Sequence, residues 1–110
     1  MKIFISYTMR DGEIKESLLR DINSLNHLNN LVLFIDKLHN NDSNPQSRIK
    51  KEIESSDILL LLSSKKVFES KWVKKEILLA QELSLPIHFA NPKNMKRIIK
   101  SVHNKVQNDK

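Results

Sequence analysis

The sequence predicts a three-layer α/β sandwich built on a four-stranded parallel sheet. Four short apolar runs alternate with segments of helical periodicity, and the runs are continuous, which is typical of strands buried on both faces. An alternating order of strands and helices implies right-handed crossovers and helices on both sides of the sheet. We expect the strand order 2-1-3-4, with the topological switch point between strands one and three.

Each predicted strand is a short run of mostly Ile, Leu, Val and Phe. The fourth run follows Pro86 and is weaker than the others. The runs cover residues 3–5, 31–35, 58–62 and 87–89. Their shortness favours strands over helices.

Between and after the strands, apolar residues recur at the spacing of amphipathic helices. These stripes lie within residues 14–25, 49–53, 73–80 and 95–106. Asn44 is expected to cap the second helix, with Pro45 at its first position. Ser70 is expected to cap the third, which runs to about Leu83.

Polar residues concentrate in residues 39–44, which we interpret as one mobile loop. The chain shows no internal repeat or linker. We therefore expect a single domain over residues 1–107, followed by a frayed tail at residues 108–110.

Composition excludes several classes of protein. The 110 residues include no cysteine, which rules out disulfides, a thiol nucleophile and a zinc finger, and which fits a cytoplasmic location. Gly12 is the only glycine, so no glycine-rich loop can hold phosphates. The four histidines lack metal-ligand spacing. No apolar run approaches the ~18 residues of a membrane span, and the N-terminus does not resemble a signal peptide.

The net charge of +6 raises the question of nucleic-acid binding. However, acidic residues interleave the basic ones along most of the chain. The densest basic cluster lies within residues 93–100, and we interpret it as the solvated face of a helix. A nucleic-acid partner is therefore not expected.

The candidate site lies in residues 70–77, soon after the third apolar run. Trp72 and Glu76 are four residues apart and share one helix face. Glu76 falls in the first two turns of a helix that follows the carboxyl end of a strand, where open α/β sheets bind ligands. A carboxylate beside an indole suits a cationic or sugar-bearing ligand. The alternatives are a surface Glu76 paired with Lys74 or Lys75, and a Trp72 packed in the core.

Three segments together resemble a TIR (Toll/interleukin receptor) domain, a flavodoxin-like fold. Phe4-Ile5-Ser6-Tyr7 with Arg10-Asp11 resembles its first box. Leu33-Phe34-Ile35-Asp36 and the Asn-rich loop resemble its second strand and BB loop. Ser63-Ser64 and the stretch from Ser70 to Glu76 resemble its S-x-W-x-x-x-E box. The resemblance covers residues 2–90. It departs from the family in having four strands instead of five and no glycine in the BB loop.

The resemblance implies an activity, because enzymatic members cleave NAD+ at the nicotinamide–ribose bond with the matching glutamate, here Glu76. It implies no cofactor, since NAD+ is the substrate. One carboxylate suffices chemically: the nicotinamide of NAD+ is a cation that leaves neutral, so the general acid that other glycosidases need has no role.

Six other residues are predicted to bind the substrate: Ser6, Tyr7, Arg10, Asp36, Ser70 and Trp72. Ser6, Tyr7 and Arg10 follow strand one at the switch point and are candidates for contacts with ribose, base or phosphate. Arg10 has the alternative of pairing with Asp11 or Glu13. Asp36 ends strand two, and we favour a role in the structure of the following loop.

The main alternative to the enzyme is a non-catalytic TIR adaptor that acts by homotypic assembly. A more distant one is a nucleoside-processing glycosidase or transferase of similar build. For the enzyme, the resemblance implies a homo-oligomer formed by TIR–TIR contacts and a separate sensor or effector protein. It also fits bacterial antiphage signalling. The sequence leaves open whether the product is linear or cyclic.

Overall fold

The computed structural model describes residues 1–94, 97 and 99 of the chain. Four strands form one parallel sheet: β1 (Lys2–Ser6), β2 (Val32–Ile35), β3 (Ile58–Leu62) and β4 (Ile87–Ala90). Their order is β2-β1-β3-β4, which confirms the predicted fold class and topology. The described helices are α1 (Glu16–Asn23), α2 (Asp36–His39), α3 (Pro45–Glu54) and α4 (Lys71–Glu82). Short 3₁₀ turns cover Leu28–Asn30, Val67–Glu69 and Pro92–Asn94.

The sheet separates two apolar cores, one on each face. Alternate residues of the central strands enter opposite cores: Ile5 and Leu60 join the core that contains Ile22 of α1, whereas Phe4 and Leu59 join the core that contains Val73 of α4. All five residues of β3 are buried. Because helices cover both faces, β3 is apolar at every position and β1 is apolar at its three middle positions, rather than at alternate ones.

Side chains cap the starts of α3 and α4. The Asn44 side-chain oxygen accepts a hydrogen bond from the Ser47 N–H at 3.2 Å, and Pro45 begins α3. The Ser70 hydroxyl accepts from the Val73 N–H at 3.3 Å and caps α4. Both predicted caps are confirmed. Each satisfies a backbone donor that the first helical turn leaves unpaired.

Two predicted boundaries were wrong. The first helix covers less than the stripe at 14–25: it begins at Glu16, and after Asn23 the N–H groups of Leu25 and Asn26 donate to carbonyls three residues back, as in 3₁₀ turns. The predicted loop at 39–44 begins one residue later, since His39 ends α2. The ring of His39 accepts from the Ile35 N–H through Nδ1 at 2.9 Å, and this bond stabilises the short helix.

The end of the chain lies largely outside the described residues. The predicted helix at 95–106 is described only at Arg97 and Ile99, which are helical, and Ile99 is buried in the core beside α1. The predicted domain limit at residue 107 and the tail at 108–110 also lie outside the described part. Among the described helices, none is long and apolar enough to cross a membrane.

Candidate functional site

A cleft of about 590 Å³ opens at the carboxyl ends of β1 and β2, beside the start of α4. This volume lies in the usual range of small-molecule sites. The loop after β1 forms one wall, the starts of α2 and α3 form a second, and the start of α4 forms a third. The lining includes six of the seven predicted site residues: Tyr7, Arg10, Asp36, Ser70, Trp72 and Glu76.

The seventh residue, Ser6, is buried behind the cleft, with 1% of its surface exposed. Its hydroxyl donates a hydrogen bond of 2.7 Å to Oε1 of Glu76. The bond joins the end of β1 to the second turn of α4 and fixes the direction of the carboxylate. Glu76 forms no ion pair with Lys74 or Lys75 in the described part of the chain, so the surface-pair alternative was wrong.

The environment of Glu76 favours its neutral form. Burial raises the pKa of this carboxyl to about 7, and the nearby charge of Asp36 acts in the same direction, whereas the Ser6 hydrogen bond lowers it. Glu76 therefore divides between its neutral and ionised forms near neutral pH. A carboxyl group with such a pKa in a cleft is a candidate catalytic residue.

Tyr7 connects the loop after β1 to α2. Its hydroxyl oxygen accepts a hydrogen bond from the Lys37 N–H at 3.0 Å. Burial raises the pKa of Tyr7 to about 12, so the phenol stays protonated at neutral pH. The hydroxyl hydrogen is then available as a donor to a ligand in the cleft.

Asp36 lines the cleft and also organises the segment that follows it. It is the first residue of α2, and its Oδ1 accepts a hydrogen bond of 2.7 Å from the Asn40 side-chain amide. The structural role favoured for Asp36 is therefore present. Ser70 similarly combines its position in the lining with its bond to the Val73 N–H.

Trp72 is 51% exposed, so its core-packing alternative was wrong. The indole lines the cleft and also a smaller cavity of about 150 Å³, which Ile53 of α3 and Leu79 of α4 line as well. The Lys75 ammonium lies 4.9 Å from the centre of the indole ring. The ring face thus already attracts a cation.

Arg10 is exposed at the mouth of the cleft. Within the described chain it forms no ion pair with Asp11 or Glu13, so that alternative was wrong. Those two carboxylates accept hydrogen bonds from backbone N–H groups of the loop after β3 instead. The guanidinium remains available to a ligand.

Sequence reasoning missed the α3 wall of the cleft, which consists of Pro45, Gln46 and Ile49, together with Thr8, Met9 and Lys37. One signal was present. Asn44 and Pro45 predict a helix that starts after strand two, and that start must lie near the same edge of the sheet as the other loops.

The charges lining the cleft are mixed: Arg10 and Lys37 are basic, and Asp36 and Glu76 are acidic. Among the described residues, no group of three His, Cys, Asp or Glu side chains is placed to hold a metal ion. The arrangement suits an organic ligand that carries both anionic groups and a cationic or sugar group.

Two comparisons bear on this arrangement. A family model described as TIR domain matches residues 3–102, nearly the whole 110-residue chain. Comparison with curated proteins finds no relative that matches the sequence.

Proposed function

Because the chain belongs to the TIR domain family, we propose that it is an enzyme that cleaves NAD+ at the nicotinamide–ribose bond, with Glu76 as the catalytic residue. The observation that carries the proposal is the placement of Glu76. Its carboxylate lies in a cleft of substrate size, is held by Ser6 at 2.7 Å, and has a pKa raised to about 7.

The chemistry requires one carboxylate and no acid. The bond between the ribose C1′ and the pyridinium nitrogen breaks, its electron pair stays on that nitrogen, and neutral nicotinamide leaves. The ribose gains oxocarbenium character, which an ionised Glu76 stabilises through the developing positive charge and the ribose hydroxyls. Water then adds to C1′ and loses a proton, or a nucleophilic nitrogen of the adenine base adds to give a cyclic product.

The other cleft residues fit parts of this substrate. Trp72 supplies an aromatic face for the nicotinamide ring, which is cationic before cleavage. Arg10 and Lys37 supply positive charge for the two phosphates. Tyr7 offers a hydroxyl donor. Ser6 is assigned differently from the sequence prediction: because it is buried and bonded to Glu76, we propose that it positions the carboxylate rather than contacting the substrate.

Homotypic assembly is part of the proposal and is also the basis of the alternative, a non-catalytic adaptor. Large apolar side chains that are exposed on the described surface support self-association: Phe68 at 54%, Leu78 at 59% and Phe89 at 60%. The Glu76 environment favours the enzyme, because an adaptor has no use for a buried carboxylate in a cleft. We further propose a cytoplasmic location, a separate sensor or effector, and a role in bacterial antiphage signalling.

The test is NAD+ cleavage by the purified chain, dilute and clustered on a surface or by a crowding agent, with products separated by chromatography. We expect nicotinamide release that rises with clustering and is lost in Glu76→Gln. Glu82→Gln is the matched control, since Glu82 is an exposed residue of the same helix. Self-association without nicotinamide release at any concentration would favour the adaptor and overturn the enzyme.

A further inference from the structure

The loop after β1 is tied to the loop after β3 by two carboxylates. Oδ2 of Asp11 accepts a hydrogen bond of 2.8 Å from the Lys66 N–H, and Oε1 of Glu13 accepts one of 3.2 Å from the Lys65 N–H. The partners are backbone groups of adjacent residues, so the bonds do not depend on the lysine side chains. We call Asp11, Gly12 and Glu13, with these two N–H groups, the clasp.

The only glycine of the chain gives the clasp its shape. Gly12 has φ of 76°, a left-handed conformation that residues with a Cβ adopt rarely. A Cβ added at Gly12 would meet no atom within 4 Å, so glycine is needed for this conformation and not for space. The Gly12 N–H donates to the Met9 carbonyl at 3.3 Å, and the Glu13 N–H donates to Oδ1 of Asp11 at 3.2 Å. This turn brings both carboxylates to the same neighbouring loop.

The clasp connects two walls of the cleft without lining it. On one side, Arg10 directly precedes Asp11 and lies at the mouth of the cleft. On the other side, Lys66 precedes the 3₁₀ turn Val67–Glu69, which leads to the Ser70 cap and to Trp72. Val67 is fully buried, so the turn is anchored in the core. The clasp therefore ties the loop that carries Arg10 to a turn that is fixed in the core just before Trp72, and loss of the clasp would let the Arg10 loop shift relative to the indole.

We propose that Asp11 and Glu13 are positioning residues that hold Arg10 and Trp72 at the separation needed to bind NAD+. This inference rests on the proposed function. An ionised carboxylate accepts stronger hydrogen bonds than a neutral acceptor does, and at 2.8 Å the Asp11 bond is the shorter of the two, so Asp11 contributes most to the clasp. Glu76 is held by Ser6 instead, so the clasp governs substrate binding and leaves the bond-breaking step largely unchanged.

The test compares Asp11→Ala, Asp11→Asn and Gly12→Ala with Glu16→Gln as the control. Glu16 is a nearby carboxylate whose partner is Arg20 at 3.3 Å, on the surface of α1. For Asp11→Ala we expect KM for NAD+ to rise about 3- to 10-fold, the scale of one charge-assisted bond, while kcat changes less than twofold. Asp11→Asn should recover part of the loss, because its amide oxygen still accepts from Lys66. Gly12→Ala should reproduce the loss with both carboxylates present.

A second readout is independent of NAD+. Trp72 is the only tryptophan, so acrylamide quenching of its fluorescence reports on this wall of the cleft. We expect altered quenching in Asp11→Ala and Gly12→Ala and unchanged quenching in Glu16→Gln. If folded Asp11→Ala and Gly12→Ala keep the quenching of the wild type, the inference is overturned, whether or not NAD+ is a substrate. If quenching changes but the wild type neither binds nor cleaves NAD+, the proposed function fails while the clasp is retained.

Discussion

Replacing Glu76 with Gln is expected to lower NAD+ cleavage by about 10²-fold or more and to stabilise the fold at pH 8. The substitution keeps the size of the side chain and an oxygen that can accept from Ser6, but it removes the ionisable group. In the wild type that group has its pKa raised from 4.5 to about 7, chiefly by burial. The folded protein therefore holds the Glu76 proton more tightly than the unfolded chain does.

The sign of the pH effect follows from this difference. The favourable contribution of neutral Glu76 is complete below pH 4.5, declines between pH 4.5 and 7, and is lost above about pH 7. At about 1.4 kcal/mol for each pKa unit, the shift from 4.5 to about 7 limits this loss to about 3.5 kcal/mol. Because the residue is partly exposed to water in the cleft, we expect the loss to be about 1–3 kcal/mol. Gln does not titrate, so the Glu76→Gln variant does not lose this stability as the pH rises.

The assay is urea unfolding of wild type and Glu76→Gln at pH 4 and pH 8, together with NAD+ cleavage under clustered conditions. The variant should match the wild type in stability at pH 4 and exceed it by about 1–3 kcal/mol at pH 8. Its cleavage rate should fall by about 10²-fold or more, the scale of a preorganised electrostatic group. In the wild type, cleavage should rise with pH through about 7 as Glu76 ionises.

Glu82→Gln is the control for both measurements, since Glu82 is exposed on the same helix and should show neither effect. A stability difference between Glu76→Gln and wild type that is the same at pH 4 and pH 8 would refute the argument from burial. Unchanged cleavage by the folded variant would remove the carboxylate from the chemistry.

Three further substitutions probe two neighbours of Glu76 in the site and one residue of α2. Ser6→Ala removes the hydrogen bond that lowers the pKa of Glu76, so the midpoint of the pH–rate profile should move upward, and an unmoved midpoint would contradict the positioning role of Ser6. Trp72→Ala should raise KM for NAD+ about tenfold, the scale of one aromatic contact. The control is Leu83→Ala, which removes an exposed apolar side chain outside the cleft lining and should leave KM unchanged. Burial lowers the pKa of His39 below 6.5, so its contribution to stability should be present above pH 6.5 and lost as pH falls, and His39→Asn should reduce this acid sensitivity in urea unfolding.

The sheet and the general position of the site follow from simple patterns. The run at 58–62 is apolar throughout because both faces of β3 are covered, and that pattern alone identifies a central strand. Since loops after parallel strands meet at one edge of the sheet, Tyr7 and Glu76 were expected to lie close together, and both line the cleft.

The details of the site depend on contacts that have no local signal. The burial of Ser6 and its bond to Glu76 depend on how α4 packs against the end of β1, which residue spacing does not encode. The short helix α2 escaped detection because four residues give no periodicity, and because the bonds of His39 and Asn40 to nearby groups stabilise it. The α3 wall was not predicted, because the packing of that helix against the sheet decides that Gln46 and Ile49 line the cleft.

The hydrogen bond between Ser6 and Glu76 also has a consequence for folding. It joins residues 70 positions apart, and it requires β1 to be paired with β3 and α4 to be docked on the sheet. Contacts of such long sequence separation close a large loop and are expected to form late, after local turns and helices. A partly folded chain would therefore hold an unrestrained Glu76 and an incomplete cleft. Under the proposed function, cleavage of NAD+ would therefore require the finished fold and would be absent from folding intermediates.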